Sequence, residues 1–222
     1  MREFLMKKVI EIQDLMFQYP TSPNEDAFTL HVKSWSLGTN EKAVLHGPSG
    51  CGKSTLLNLI SGSLAHQEGT LNVLGESRNA TSESQRRAHR ISNIGFVFQD
   101  FPLIEYLSVL ENVVLPYRIN PVLTLEEKTK QRARELLKQL GLHGKYNRKP
   151  KALSQGERQR VAVARSMITN PKLILADEPT GSLDLETAKE IFDILKKQIN
   201  SNRLIIFATH NRFFANKSDC LL

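Results

Sequence analysis

Long apolar runs, cysteines and repeats are scarce in this chain of 222 residues. No apolar stretch approaches the roughly 18 residues that cross a bilayer. The N-terminal segment from Met1 to Lys8 also lacks the apolar core of a signal peptide. The two cysteines, Cys51 and Cys220, lie far apart in sequence and give neither a disulfide framework nor a metal-ligand spacing. These absences exclude a disulfide scaffold and a transmembrane protein, and we expect a cytoplasmic location.

The charge balance is the next feature that narrows the class of protein. The net charge is +7 and the isoelectric point is near 9.5. Such a balance suits phosphate ligands, an anionic membrane surface or nucleic acid, but a solvated basic surface is its ordinary explanation. A chain of this length can bury a full core and form one large domain or two small lobes. Charge alone therefore assigns no partner.

A glycine-rich run fits the phosphate-binding pattern G-x-x-x-x-G-K-[ST]. It consists of Gly47, Pro48, Ser49, Gly50, Cys51, Gly52, Lys53, Ser54 and Thr55. A strand is predicted before it, over Lys42 to His46, and a helix begins after it. The glycines let backbone N–H groups surround phosphates, Lys53 can reach the β- and γ-phosphates, and Ser54 can ligate Mg²⁺. Four fixed positions occur by chance in roughly 1% of chains of this length, so this run predicts a nucleoside triphosphate site.

Apolar alternation and short apolar runs predict the strands. They fall at Val9 to Ile12, Met16 to Tyr19, Phe28 to Val32, Gly69 to Leu74, Ile94 to Phe98, Leu173 to Ala176 and Leu204 to Thr209. The first four suggest an antiparallel flap, whereas the short apolar run Leu173 to Ala176 suits a strand that is buried on both faces of a parallel sheet. The pattern therefore predicts an α/β fold.

Capping signals predict the helices. Ser108 can cap a helix from Val109 to Leu115, and Thr124 with Glu127 forms a capping box for a helix that ends at Gly141. A further helix is expected over Leu185 to Ile199. The polar stretch 76–90 carries no assigned element, and the basic segment 145–151 is interpreted as a loop.

An acidic pair, Asp177 and Glu178, follows the apolar strand at Leu173 to Ala176. Ligands bind at the carboxyl ends of strands in such sheets. One acid can hold Mg²⁺ while the other orients or deprotonates the attacking water. Alone, the pair favours an ordinary acidic turn before Pro179. Together with the phosphate-binding run, it favours hydrolysis of a nucleotide.

The segment from Leu153 to Arg165 is the most specific motif. Ser154 and Glu157 alone make an ordinary capping box. The full run, however, resembles the signature motif of ATP-binding cassette (ABC) ATPases and lies about twenty residues before the acidic pair. Other positions match that family in order. They are Tyr19 (the adenine-stacking aromatic), Gln99 (the Q-loop), Ser182 to Asp184 (the D-loop) and His210 (the switch histidine).

The resemblance implies a fold and a set of roles. The fold is that of a P-loop NTPase, with a RecA-like parallel core, an N-terminal antiparallel β subdomain and a helical insert at approximately 100–168 in one domain. The bound groups are ATP and Mg²⁺. Glu178, His210 and Gln99 are the expected catalytic residues, and Ser54, Gln99 and Asp177 the expected metal ligands. Nucleotide contacts are expected from Tyr19, the residues 47–55, Ser154, Gln155, Gly156, Glu157 and Asp184.

The resemblance also implies partners. The signature residues serve the nucleotide bound by a second copy, so ATP is expected to produce a homodimer. Gln155 departs from the glycine usual at its position, which affects how closely the partner's phosphate approaches. The run from Ala176 to Asp184 is similar to the lipoprotein-releasing, macrolide-exporter and cell-division branch, which implies a transmembrane permease subunit. Residues 101–107 can receive that subunit or pack inside the helical region.

Two rival functions are weaker. A soluble ABC ATPase that acts on nucleic acid or ribosomes would carry long heptad arms or two cassettes in one chain, and neither is present. A P-loop kinase or GTPase would not explain the signature segment. We therefore expect an ATP-hydrolysing transporter subunit at the inner face of the membrane, with no nucleic-acid partner.

Overall fold

The computed structural model describes residues 8–20, 28–39, 43–79, 81–100, 102–181, 185–197 and 203–210. Within these ranges the strands are β1 Lys8–Gln18, β2 Thr29–Gly38, β3 Ala43–His46, β4 Glu68–Val73, β5 Glu76–Ser77, β6 Ile94–Val97, β7 Leu173–Asp177 and β8 Leu204–Thr209. The helices are α1 Lys53–Ser61, α2 Glu83–Asn93, α3 Val109–Ile119, α4 Glu127–Gln139, α5 Gln155–Met167 and α6 Leu185–Lys196. Among these helices, none has the length and apolar character that a membrane span requires. Predictions that fall on Lys42, Phe101, Ser182, Leu183, Asp184, Ile199 and Cys220 lie outside the described residues.

One sheet is antiparallel, with the strand order β2-β1-β4-β5. The sequence predicted two short strands where β1 runs unbroken, and that prediction is wrong. The register against β4 shifts between Gln13 and Met16, and Asp14 adopts a φ of 46° at that irregularity. A bulge of this kind bends a strand without ending it. Gly69 lies directly against the Asp14 backbone, where a β-carbon would collide with it.

The second sheet is parallel, with the order β3-β8-β7-β6. Alternate residues of β7 face two different cores. Leu173 and Leu175 pack with α1 and the antiparallel sheet, whereas Ile174 and Ala176 pack with α3, α4 and α5. Parallel pairing brings the carboxyl ends of the four strands to one edge. The functional residues that follow these strands are therefore neighbours in space.

The helices of residues 102–168 confirm one capping prediction and correct two boundaries. Ser108 caps α3 in a full capping box with Glu111, as predicted. The predicted end at Leu115 is wrong, because α3 continues through Pro116 to Ile119. The predicted Thr124 cap is also wrong. Helix α4 begins at Glu127 after Glu126, which makes no side-chain cap.

Helix α2 lies in the polar stretch that carried no assigned element. It has one buried residue, His89, so it shows little of the apolar periodicity that reveals a helix. Its start is nevertheless marked, because Ser82 and Gln85 form a capping box. That S-x-x-Q spacing was the available signal.

Candidate functional site

A cleft of about 800 Å³ opens at the carboxyl edge of the parallel sheet. Its lining residues come from the glycine-rich loop, the ends of the strands and the antiparallel sheet. They are Tyr19, Phe28, Pro48, Ser49, Gly50, Gly52, Lys53, Ser54, Thr55, Gln99, Glu178 and His210. Residues that the sequence predicted separately as nucleotide and catalytic residues thus meet in one cleft.

The glycine-rich loop connects β3 to α1 and ends at a helix that has no side-chain cap. Gly52 is the N-cap residue, its φ is 100°, and the first turn of α1 holds no acidic residue. A β-carbon on Gly52 would lie 2.9 Å from Phe28 Cζ. The first N–H groups of α1 therefore have no anionic side chain of their own helix beside them. A helix N-terminus in this state attracts a phosphate.

Lys53 lies along the inside of the loop. Its Nζ donates hydrogen bonds to the carbonyl oxygens of Gly47, at 2.8 Å, and Pro48, at 2.9 Å. Cys51 is exposed, and its Sγ lies 3.9 Å from the same ammonium group. The loop thus holds one positive charge at the cleft, beside the open helix N-terminus.

Asp177 and Ser54 form the part of the site that suits a metal ion. Burial raises the pKa of Asp177 and the charge of Glu178 adds to the rise, while the nearby Ser54 side chain and the Lys53 charge oppose it. Asp177 Oδ1 is buried with no hydrogen-bond partner among the described residues. A buried carboxylate oxygen beside a hydroxyl suits Mg²⁺, which prefers oxygen ligands.

Phosphate oxygens would have to complete such a metal site. Within the described ranges, no three His, Cys, Asp or Glu side chains converge as a metal cluster. Mg²⁺ commonly takes only one or two protein ligands and shares the rest with phosphates and water. The donor set therefore fits a metal that arrives with a nucleotide.

Glu178 and His210 are joined directly. The backbone N–H of His210 donates to Glu178 Oε1 at 2.8 Å, and His210 Nδ1 lies 2.8 Å from the same oxygen. Glu178 is 8% exposed and has a φ of 44°, a strained value for a residue with a side chain. Its own N–H donates to the Ala208 carbonyl oxygen at 2.9 Å. Strands β7 and β8 thus hold the carboxylate and the imidazole together at the cleft.

Two aromatic residues border the other end of the cleft. The Tyr19 hydroxyl lies 3.3 Å from Thr55 Oγ1, and the Tyr19 ring packs edge-on against Phe17. Phe28, which the sequence analysis did not select, packs over Gly52. No local sequence signal reveals this contact, because Tyr19 lies opposite Phe28 through the antiparallel register that pairs Gln18 with Thr29.

The signature residues lie apart from this cleft. Ser154 and Gln155 are exposed at the N-terminus of α5, where Ser154 and Glu157 form a capping box. Gly156 packs closely on Thr187, since a β-carbon there would lie 2.8 Å from Thr187 Cγ2. None of the described residues that line the cleft belongs to this segment. Asp184 is outside the described residues, so its predicted nucleotide contact stays a prediction.

Comparisons with known proteins agree with this arrangement. The family model described as ABC transporter matches residues 30–181. The lipoprotein-releasing system ATP-binding protein LolD 1 of Rhodopirellula baltica is 36% identical over 210 residues, which cover 94% of this chain and 90% of that protein. The ABC transporter ATP-binding protein YtrE of Bacillus subtilis is 41% identical over 180 residues, with 80% and 77% covered.

A solved structure extends the comparison to three dimensions. It is a dimeric, post-hydrolysis state of the ATP-binding cassette MJ0796 bound to ADP and Pi. It matches with a TM-score of 0.79 at 34% identity, and the match covers 93% of this chain and 90% of that one.

The chain therefore belongs to the ABC transporter family, as an ATP-hydrolysing cassette. The predicted family, fold class and enzyme class are confirmed. The roles assigned to single residues stay predictions.

Proposed function

We propose that this cassette powers a membrane complex of the lipoprotein-releasing or efflux type, and that two copies of it share two ATP molecules. One observation carries the proposal: the cleft gathers the Lys53 loop, Ser54 with Asp177, and Glu178 with His210, while the signature helix begins outside it. A single chain then holds only half of each site. The relatives named as LolD support the branch.

The nucleotide would lie along the cleft from the aromatic end to the acidic end. Tyr19 would stack on the base, and the loop 47–55 would surround the phosphates, with Lys53 at the β- and γ-phosphates. Ser54, Asp177 and Gln99 would hold Mg²⁺, which neutralises charge that develops on the phosphates. Binding in this chain therefore needs no residue of α5.

Glu178 is the proposed general base. His210 engages Oε1 of Glu178 through two nitrogens, and a carboxylate retains further acceptor sites for an attacking water. Glu178 would accept the proton of that water as the water oxygen bonds to the γ-phosphorus, while the bond from this phosphorus to the β–γ bridging oxygen breaks and ADP leaves. His210 holds Glu178 in place and can donate a hydrogen bond to the departing phosphate. Gln99, at the same cleft, would report the presence of metal and water.

The second copy would complete the site. In a head-to-tail pair, Ser154, Gln155, Gly156 and Glu157 of one chain would face the γ-phosphate that is held by Lys53 of the other, with Asp184 near the contact. The dimeric cassette structure supports this assembly. Phosphate binding at the N-terminus of α5 fits the dipole of that helix.

The membrane partner would dock beside the helical region. Only part of the segment 102–107 is buried. Leu103 packs against the core of the helices, whereas Tyr106 is 77% exposed. A groove of about 380 Å³ next to them is lined by Phe98, Leu115 and Ile119 among others. A transmembrane permease subunit would hold the cassette at the inner face of the membrane. We treat the chain as one domain, with residues of approximately 100–168 as its helical subdomain.

The alternative, a soluble ABC ATPase that acts on nucleic acid or ribosomes, is not favoured. Of the relatives reported above, YtrE is named an ABC transporter ATP-binding protein and LolD 1 a lipoprotein-releasing system ATP-binding protein. The basic net charge would suit nucleic acid, but it has an ordinary explanation as a solvated surface.

The proposal is tested by trapping the shared state. Glu178→Gln removes the base while it keeps the shape of the side chain, so hydrolysis should fall by about 10²- to 10⁴-fold. ATP with Mg²⁺ should then convert the protein to a dimer in light scattering, and ADP should not. A variant that binds ATP, has lost hydrolysis and stays monomeric would overturn the proposal.

A further inference from the structure

The N-terminus of α5 is tied to the loop before it by one carboxylate. Glu157 Oε1 forms an ion pair with Lys145 Nζ. Glu157 Oε2 accepts the Ser154 N–H at 3.0 Å, and the Glu157 N–H donates to Ser154 Oγ at 3.3 Å. We propose that Lys145 is a positioning residue that fixes Ser154 for the nucleotide of the second copy, an inference that rests on the proposed function.

The backbone around Lys145 is itself anchored. The carbonyl oxygens of Tyr146 and Arg148 accept the first N–H groups of α3, from Leu110 and Val109, each at 2.9 Å. The Lys145 N–H donates to the Leu142 carbonyl oxygen at 3.1 Å. The ammonium group is therefore presented to Glu157 from a loop that α3 holds in place.

The capping box of α3 offers a comparison. Its carboxylate, Glu111, contacts an arginine of the same helix, Arg118, at 3.4 Å. In α5 the corresponding carboxylate is held from another element. An ion pair within one helix supports only that helix, whereas the Lys145 pair fixes α5 relative to α3. The start of α5 is thus positioned within the helical region as well as capped.

The charge state of Glu157 agrees with this role. The hydrogen bond from Lys145 holds the pKa of Glu157 below its usual range, and the Ser154 N–H and the charges of Lys145 and Arg148 act in the same direction, against burial. The carboxylate is therefore ionised at neutral pH. Without Lys145 the carboxylate would still cap Ser154, but its second oxygen would lose the direct ion pair that joins it to the loop before α5.

This role predicts a defect that is confined to the shared site. Lys145 does not line the cleft, so ATP binding by one chain should not change when it is replaced. Dimer formation and turnover should decrease, because Ser154 would become ordered only when the two copies associate. Since the pair is partly exposed, the expected loss in kcat/KM is about two- to fivefold.

The experiment uses Lys145→Met and Lys145→Arg in the full chain, with Lys138→Met as the matched control. Lys138 is an exposed lysine of α4. Each substitution is also combined with Glu178→Gln. Three quantities are measured: the Kd of the monomer for a fluorescent ATP analogue, the ATP concentration at half-maximal dimer formation in light scattering, and the steady-state kcat and KM.

We expect an unchanged monomer Kd in all variants. Lys145→Met alone should raise the half-maximal ATP concentration and lower kcat, and Lys145→Arg should restore both. Equal dimerisation midpoints and kcat for Lys145→Met and Lys138→Met would overturn the inference, and so would an equal loss in monomer Kd. If Lys145→Met does not fold, a Lys145→Arg variant that folds but behaves like a dimerisation mutant would overturn it. A Glu178→Gln parent that binds ATP yet never dimerises would overturn the proposed function itself.

Discussion

Helix α1 has an uncapped N-terminus, whereas helix α5 has a capped one. Helix α1 starts at a glycine, with no side-chain cap and no acid in its first turn. Helix α5 starts at Ser154, with a full capping box and Glu157 in its first turn. Helices α2 and α3 resemble α5, since Ser82 and Ser108 cap them in the same way. Among these four helices, only α1 keeps its first N–H groups free of its own side chains.

This difference indicates what each helix N-terminus can bind. An uncapped N-terminus leaves N–H groups and the positive end of the helix dipole for an external anion. At a capped N-terminus, the capping side chain already accepts a hydrogen bond from one of these N–H groups. A carboxylate in the first turn also repels any further anion nearby. Helix α5 therefore suits a supporting role at a phosphate that is bound elsewhere. Helix α1 suits the primary phosphate site.

Removing the positive charge at the uncapped N-terminus of α1 should have the largest effect. Lys53→Ala deletes the cation that the loop holds at the cleft, so ATPase activity should fall at least about a hundredfold and ATP affinity should weaken. Lys33→Ala, at an exposed position of β2, is the control. Equilibrium binding of a fluorescent ATP analogue would be the measurement. Unchanged binding by Lys53→Ala would show that α1 is not the primary phosphate site.

Adding a side chain at the N-cap position of α1 should have the next largest effect. Gly52→Ala forces a side chain into a φ of 100° and places its β-carbon 2.9 Å from Phe28 and 3.0 Å from Leu30. Gly75→Ala is the matched control, because its φ is 83° and nothing lies within 4 Å. Both should lose about 1–2 kcal/mol of stability from the backbone. Only Gly52→Ala should weaken nucleotide affinity as well, by about tenfold or more. Thermal unfolding and isothermal titration separate the two effects.

Removing the N-cap of α5 should have a smaller effect. It should also distinguish the role of this cap from that of the cap of α2. Ser154→Ala and Ser82→Ala each remove a capping hydroxyl, which costs about 1 kcal/mol in folding free energy. Turnover should fall only in Ser154→Ala, because only that hydroxyl faces a nucleotide in the proposed dimer. Parallel measurements of unfolding and of kcat are required. An equal kcat in the two variants would mean that the start of α5 is structural alone.

The smallest expected effect is a change in labelling rate at Cys51. The thiol is exposed in the loop, 3.9 Å from Lys53 Nζ. A small alkylating reagent should inactivate the protein there, Mg-ATP should slow the reaction, and Cys51→Ser should stay active and resist it. Mass spectrometry identifies the labelled position. Labelling of Cys51 at one rate with and without Mg-ATP would place the nucleotide away from this loop.

The elements that the sequence predicted best are those with strong local signals. The apolar run of β8 was assigned with its observed limits, Leu204–Thr209, since a strand buried on both faces has an unmistakable composition. Ser108 was predicted as a cap, and in the structure it forms a capping box with Glu111, three residues further on. A capping box was also predicted at Thr124 with Glu127, but the N-cap of α4 is Glu126, two residues later than predicted.

What the sequence could not supply is contact between distant segments. Glu178 and His210 were both selected, but the hydrogen bonds between them depend on the adjacent positions of β7 and β8 in the sheet. Phe28 was missed because its place over Gly52 follows from the register of β1 against β2. Local patterns identify site residues, whereas tertiary pairing decides which of them touch.

The division of each site between two chains is tested most directly by mixing two inactive variants. Lys53→Ala lacks the phosphate lysine but keeps its signature residues, and Ser154→Arg blocks the signature residues but keeps its lysine. At a one-to-one ratio, half of the dimers are mixed and each holds one intact site of two, so the mixture should recover up to about a quarter of the parental ATPase rate. No activity above that of either variant alone, under conditions where mixed dimers form, would contradict a shared site.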